Sequence, residues 1–181
     1  MNKFLFCLSA VFSTLLMSSA SAQQTATSNT AFDSWVMSCS SHTEKDKPAT
    51  KACEIRSTVV VQDKQTNQQG VAAVVAIGRL LPDQKLQFVA QLPINAVLNV
   101  PVKITGKDDK AIVELSYAAC QPQLCTATGS LTEAQVSALR KAGDTLFVVY
   151  RNQAGQDVKV EVSTKGFAPA LDALVKEKPA A

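Results

Sequence analysis

Four cysteines and a single histidine are the residues of this chain best suited to chemistry: Cys39, Cys53, Cys120, Cys125 and His42. Thiolates can hold a structural zinc, but a four-cysteine zinc site calls for tighter C-x2-C pairs. Here thirteen residues separate Cys39 from Cys53, and four separate Cys120 from Cys125. The second pair is also too widely spaced for the C-x-x-C of a thioredoxin-like centre. The redox chemistry left to it is that of a labile regulatory disulfide. In an exported chain an even number of cysteines implies disulfides. Three connectivities are possible. The sequential one, Cys39–Cys53 with Cys120–Cys125, is the simplest, because each bond then closes a short loop between extended segments. On the chain-entropy model the two crosslinks stabilise by ~3 and ~2 kcal/mol.

His42 is the only general base of the usual kind. It sits in a polar stretch, Ser40 to Lys51, near Ser40, Ser41 and Glu44. A Ser-His-acid triad needs a histidine gripped by a buried acid and aimed at an activated serine. A solvated loop is a poor platform for that, and one histidine is too few for a transition-metal site. The carboxylate pair Asp108-Asp109 lies between Lys107 and Lys110 and reads as a charged turn. The seven glycines are dispersed and form neither G-x-G-x-x-G nor a P-loop, so nucleotide binding has no support. Trp35, Tyr117, Phe147 and Tyr150 could line a ligand pocket, but aromatic residues on strands are more often core. No catalytic residue, metal site or cofactor is assigned. By elimination the chain reads as a non-enzymatic binding, structural or interaction domain.

The elements that must hold these residues begin with an export signal. Lys3 supplies a positive n-region, Phe4 to Met17 an apolar h-region, and Ala20-Ser21-Ala22 an A-x-A cleavage site before Gln23. Residues 1–22 therefore read as a signal peptide, and Cys7 is removed with it. The apolar run is 14 residues, short of the ~20 that span a bilayer. The expected location is the periplasm or outer envelope, with no transmembrane segment. After cleavage 17 basic residues face 15 acidic ones. They are scattered rather than clustered, which argues against nucleic acid as a partner.

Residues 23–31 are a Gln/Thr/Ser/Asn tract and read as a disordered leader. A single domain is expected over 32–175, with a flexible tail over 176–181. Phe32 to Cys39 and Cys53 to Val61 read as two strands tied by a disulfide over the polar loop, with Trp35 packed beneath. The β-branched run Val71 to Leu81 suits a strand buried on both faces. Lys85 to Gln91 alternates, Val97 to Thr105 has period two at Val100, Val102 and Ile104, and Ala111 to Tyr117 is another strand. Cys120 to Cys125 bends around Pro122. Thr145 to Tyr150 and Asp157 to Ser163 form a hairpin about Asn152–Gln156. Two helices are expected. One follows Ser130, read as an N-cap with Glu133 completing a capping box; the other runs from Phe167 to Val175. Eight to ten short strands with one or two helices specify an all-β sandwich or barrel.

Several of these residues, in order, carry a family resemblance. They are Trp35-x3-Cys39, Cys53-x-Ile55, Leu92-Pro93-Ile94 through Val100-Pro101-Val102, and Tyr117-x2-Cys120-x4-Cys125. Lys141-x-Gly143-Asp144 and Lys165-Gly166-Phe167-x2-Ala170-Leu171-x2-Leu174 complete the set. The chain resembles the invasion-associated locus B (IalB) proteins of alphaproteobacteria over nearly all of its mature length. One departure is the stretch Asn95 to Pro101, which lacks the glycine of the usual Leu-Pro-x-Gly-Val. The resemblance implies an immunoglobulin-like β-sandwich and structural roles for Trp35, Tyr117, Gly166 and Phe167. It also implies an envelope location and a part in host-cell entry through an unknown protein partner in the envelope or on the host cell. A chaperone- or inhibitor-like module that binds through an exposed sheet edge is the alternative.

Overall fold

The computed structural model describes residues 24–43, 50–62, 67–79 and 85–177. Among them are ten strands and two helices. In chain order these are β1 (Gln24–Phe32), β2 (Trp35–Thr43), β3 (Thr50–Gln62), β4 (Gln69–Arg79), β5 (Leu86–Pro93), β6 (Val102–Thr105), β7 (Ala111–Cys120) and β8 (Leu124–Ser130). Helix α1 (Glu133–Arg140), β9 (Thr145–Arg151), β10 (Asp157–Ser163) and α2 (Phe167–Lys176) follow. Neighbouring strands pair antiparallel in the order β1-β2-β3-β4-β5-β8-β7-β6-β9-β10. The first five form a meander. The β6-β7-β8 meander then returns to lay β8 against β5, and β9 joins β6. The ladder folds over so that both halves feed one apolar interior, giving the expected all-β sandwich with two helices and two disulfides.

Period-two burial follows the sequence pattern. Phe88, Ala90 and Leu92 of β5 and Leu146, Val148 and Tyr150 of β9 point inward. Each fully buried Leu, Ile or Phe contributes about 1.5–3 kcal/mol. Helix α2 buries Phe167, Ala170, Leu171 and Leu174, a stripe at helical spacing, against β2 and β3. The outer half of β4 departs from expectation. Its residues are buried on both faces only from Val75 to Gly78, while Val71 at the hairpin end is exposed.

Several local expectations are corrected. The tract read as a disordered leader forms β1, with nine residues in register against β2. Its side chains are too polar to signal a strand, and backbone pairing to an available edge supplies the order. The polar loop is shorter than expected: β2 runs on to Thr43 and β3 begins at Thr50, with residues 44–49 outside the described set. The strand expected from Val97 contracts to Val102–Thr105, because a turn at 97–100 precedes Pro101. Helix α1 is capped by Thr132, not Ser130. The Thr132 hydroxyl accepts from the Gln135 amide and the Gln135 side chain accepts from the Thr132 amide, while Ser130 still belongs to β8. At the C-terminus, Lys176 ends α2 and Glu177 accepts an ion pair from Lys51 at 2.5 Å, so these two residues are held, not frayed. Residues 178–181 and the expected signal peptide lie outside the described residues.

Candidate functional site: a stapled sheet with an open apolar groove

Cys39 and Cys53 are directly opposed on β2 and β3, with Cα atoms 4.1 Å apart, and are bonded. Cys120 and Cys125 are likewise opposed across β7 and β8 at 4.0 Å and bonded. The two staples differ in access. Cys39 is buried and Cys53 half-buried, whereas Cys120 is exposed on a hairpin tip beside buried Cys125. Around that tip the Gln121 amide donates to the Leu124 carbonyl at 2.8 Å, closing the turn that Pro122 begins.

Trp35 is fully buried where β2 starts, and its Nε1 donates to the Ser163 carbonyl at 2.9 Å. Its ring lies 4.9 Å from that of Phe167 at a tilted 54°. This cluster joins the first hairpin to the end of β10 and the start of α2. Gly166 opens α2 at φ +78, against the Phe32 carbonyl. Tyr117 is half-buried, and its hydroxyl is buried without a hydrogen-bond partner among the described residues. Burial first, and then neighbouring Tyr150, pushes the Tyr117 phenol above its ordinary value; burial alone raises Tyr150.

His42 is exposed on β2, opposite Thr50. Asp109 accepts from Lys159 at 2.5 Å, and the Lys159 ammonium sits 4.0 Å from the centre of the Phe147 ring. Asp108 caps the Lys110 amide within its own turn. These charges are spent on one another at the surface. A bidentate hydrogen bond from Arg151 holds exposed Asp157 below the usual carboxylate range. Among the described residues no group of three or more His, Cys, Asp or Glu is placed to hold a metal.

The sequence reading missed an open groove of about 570 Å³. Val59, Val61, Val71, Pro93, Val158 and Val160 line it, between the β3–β4 hairpin and the edge strand β10. Of these Val61 and Val71 are 51 and 55 % exposed, and Val60, outside the lining, is 54 % exposed. A signal was present. Three consecutive valines, Val59 to Val61, cannot all face one core from a strand of period two.

A family model, described as invasion associated locus B (IalB) protein, matches residues 35–175. Two proteins named invasion protein B homologs, from Brucella abortus strain 2308 and from Brucella abortus biovar 1 strain 9-941, are each 31 % identical over 143 residues. Each match covers 78 % of this chain and 75 % of the relative. The crystal structure of invasion associated protein B from Bartonella henselae superposes with a TM-score of 0.62. It does so at 21 % identity, over 81 % of this chain and 94 % of that one. Among the described residues no helix is long and apolar enough to cross a membrane. The matched span runs from Trp35 through both disulfides to the end of the α2 apolar stripe, and the chain belongs to the invasion associated locus B (IalB) family.

Proposed function

We propose that this protein is a non-enzymatic, exported envelope protein that acts through contact with another protein and contributes to host-cell entry. The observation that carries the reading is the exposed valines of the β3–β4 hairpin: Val61 and Val71 line the open groove, and exposed Val60 pairs with Val71. Apolar side chains clustered in water mark contact surfaces, and two disulfides suit an oxidising compartment. The names of the relatives, invasion protein B homologs, point to entry as the process in which the contact serves.

The test pairs a deletion strain with one expressing Val60→Thr/Val61→Thr/Val71→Thr. Both should grow normally in medium and enter host cells less than wild type, and the variant should lose the envelope or host protein that wild type captures. Entry at wild-type levels in the deletion strain would reject the invasion role. Undiminished capture by the triple variant would reject this surface.

A further inference from the structure

Strand β1 is attached to the sheet almost entirely by its backbone. From Ala26 to Ala31 every side chain is exposed, and only Phe32 is half-buried. The attachment includes nine residues in register with β2, a side-chain hydrogen bond from Ser38 Oγ to Asn29 Oδ1 at 2.6 Å, and contact of the Phe32 end with the core and α2. A segment that buries so little apolar surface opens far more readily than the core. Neither disulfide restrains it, since Cys39–Cys53 ties β2 to β3.

The connection to β2 is a two-residue turn, Asp33-Ser34, with Phe32 opposite Trp35. Asp33 holds a left-handed φ of +48, a conformation that aspartate adopts more readily than most L-residues and less readily than glycine. Immediately beyond, the chain is pinned. The Ser34 amide donates to the Lys165 carbonyl at 3.2 Å, the Ser34 hydroxyl to that of Ser163 at 3.2 Å, and Trp35 Nε1 to the Ser163 carbonyl. A fixed point at Ser34, a left-handed residue before it and a strand whose side chains are exposed from Ala26 to Ala31, with Phe32 beside the turn as its one apolar anchor among the described side chains, make a hinge.

We propose that β1 exchanges between two copies of this chain, each β1 pairing with the β2 of the other copy. The occupant follows from the edge itself. β2 already presents its amides and carbonyls to this one sequence in a complete antiparallel register, which a second copy reproduces bond for bond. Straightening the turn frees Asp33 from the left-handed region in the exchanged form only. A two-residue hinge next to a pinned residue favours such swapping.

The test uses the full exported chain. The wild type is concentrated and warmed to just below its unfolding midpoint, and its mass is followed by size-exclusion chromatography with light scattering. A dimer is expected. In Asn29→Cys/Ser38→Cys, oxidation of the isolated dimer should give a covalent dimer on a non-reducing gel, because residues 29 and 38 then belong to different copies. Asp33→Gly should weaken dimerisation several-fold, as glycine holds the left-handed turn of the closed hairpin more readily than aspartate. The proposal is overturned by a chain that stays monomeric throughout. It is equally overturned by a dimer whose paired cysteines crosslink only within one chain, which would mean edge-to-edge pairing without exchange, or by an Asp33→Gly dimer as tight as wild type.

Discussion

Gly166 and the Phe32 carbonyl are in such close contact that a Cβ on residue 166 would lie well inside the van der Waals distance of that oxygen. Gly166 also holds φ +78. One position thus joins the first hairpin to the last helix and admits only glycine, for two independent reasons.

Gly166→Ala is accordingly expected to be severely destabilising. The left-handed backbone alone costs an L-residue about 1–2 kcal/mol, and displacing the Phe32 backbone adds about 1–3 kcal/mol. For a chain of this size each kcal/mol lowers the midpoint by about 2–4 °C, so thermal unfolding should fall by roughly 5–15 °C. A midpoint within a degree or two of wild type would show that the hairpin and α2 are not packed together as described.

The two disulfides should respond differently to a thiol reductant. Exchange requires an accessible sulfur. Cys120 is exposed at a hairpin tip, whereas Cys39 is buried and Cys53 half-buried. Mild reduction followed by alkylation and peptide mass spectrometry should label Cys120 and Cys125 before Cys39 and Cys53. Replacing the outer pair by alanine should cost ~2 kcal/mol and the inner pair ~3 kcal/mol, since they close loops of different length. Simultaneous labelling of all four cysteines would mean that reduction proceeds through global unfolding rather than local access.

Much of this architecture could be read from residue types alone. The single tryptophan and the apolar stripe of α2 mark positions whose side chains enter the core, and hydrophobic periodicity reports side-chain burial, while the cysteine spacing marks the two staples although Cys120 is exposed. Strand β1 was illegible for the converse reason: its order comes from backbone bonds to β2, and its polar side chains carry no burial signal. Ser130-x-x-Glu133 and Thr132-x-x-Gln135 are both capping-box patterns. What decides between them is where β8 ends, a fact of strand pairing. The groove escaped because it forms between the β3–β4 hairpin and β10, segments some ninety residues apart.

Tyr117 offers a pH-dependent test. Its hydroxyl is buried without a partner among the described residues, and burial followed by the nearby Tyr150 raises its pKa above the ordinary value. A phenol with a raised folded pKa stays protonated in the native state at pH values where the unfolded chain has already lost its proton. Its contribution is therefore complete below about pH 10 and is lost as pH rises through the folded pKa. Tyr117→Phe removes an unpaired buried oxygen. It should be neutral or stabilising by up to about 1 kcal/mol at pH 7, and should lessen the alkaline loss. Urea unfolding at neutral pH and above pH 10 reads both effects. A loss of more than about 1 kcal/mol at pH 7 would reveal a hydrogen bond from this hydroxyl.

The valine rim separates stability from contact. Val60, Val61 and Val71 are each more than half exposed, so replacing them with threonine removes little apolar surface from the folded interior. Threonine keeps the β-branched shape that suits a strand. Surface changes of this kind stay within about 0.5 kcal/mol each, and the triple variant should unfold within about 1.5 kcal/mol of wild type in urea. Binding of a hydrophobic reporter dye should fall, because Val61 and Val71 line the groove and Val60 is exposed on the same hairpin. Val160, lining the groove at only 7 % exposure, gives the contrasting control. Val160→Thr places a hydroxyl in the interior and should cost about 1–3 kcal/mol. If the rim variant proved as destabilising as Val160→Thr, the valines would be core residues of a closed sandwich, and the groove would not be open to a partner.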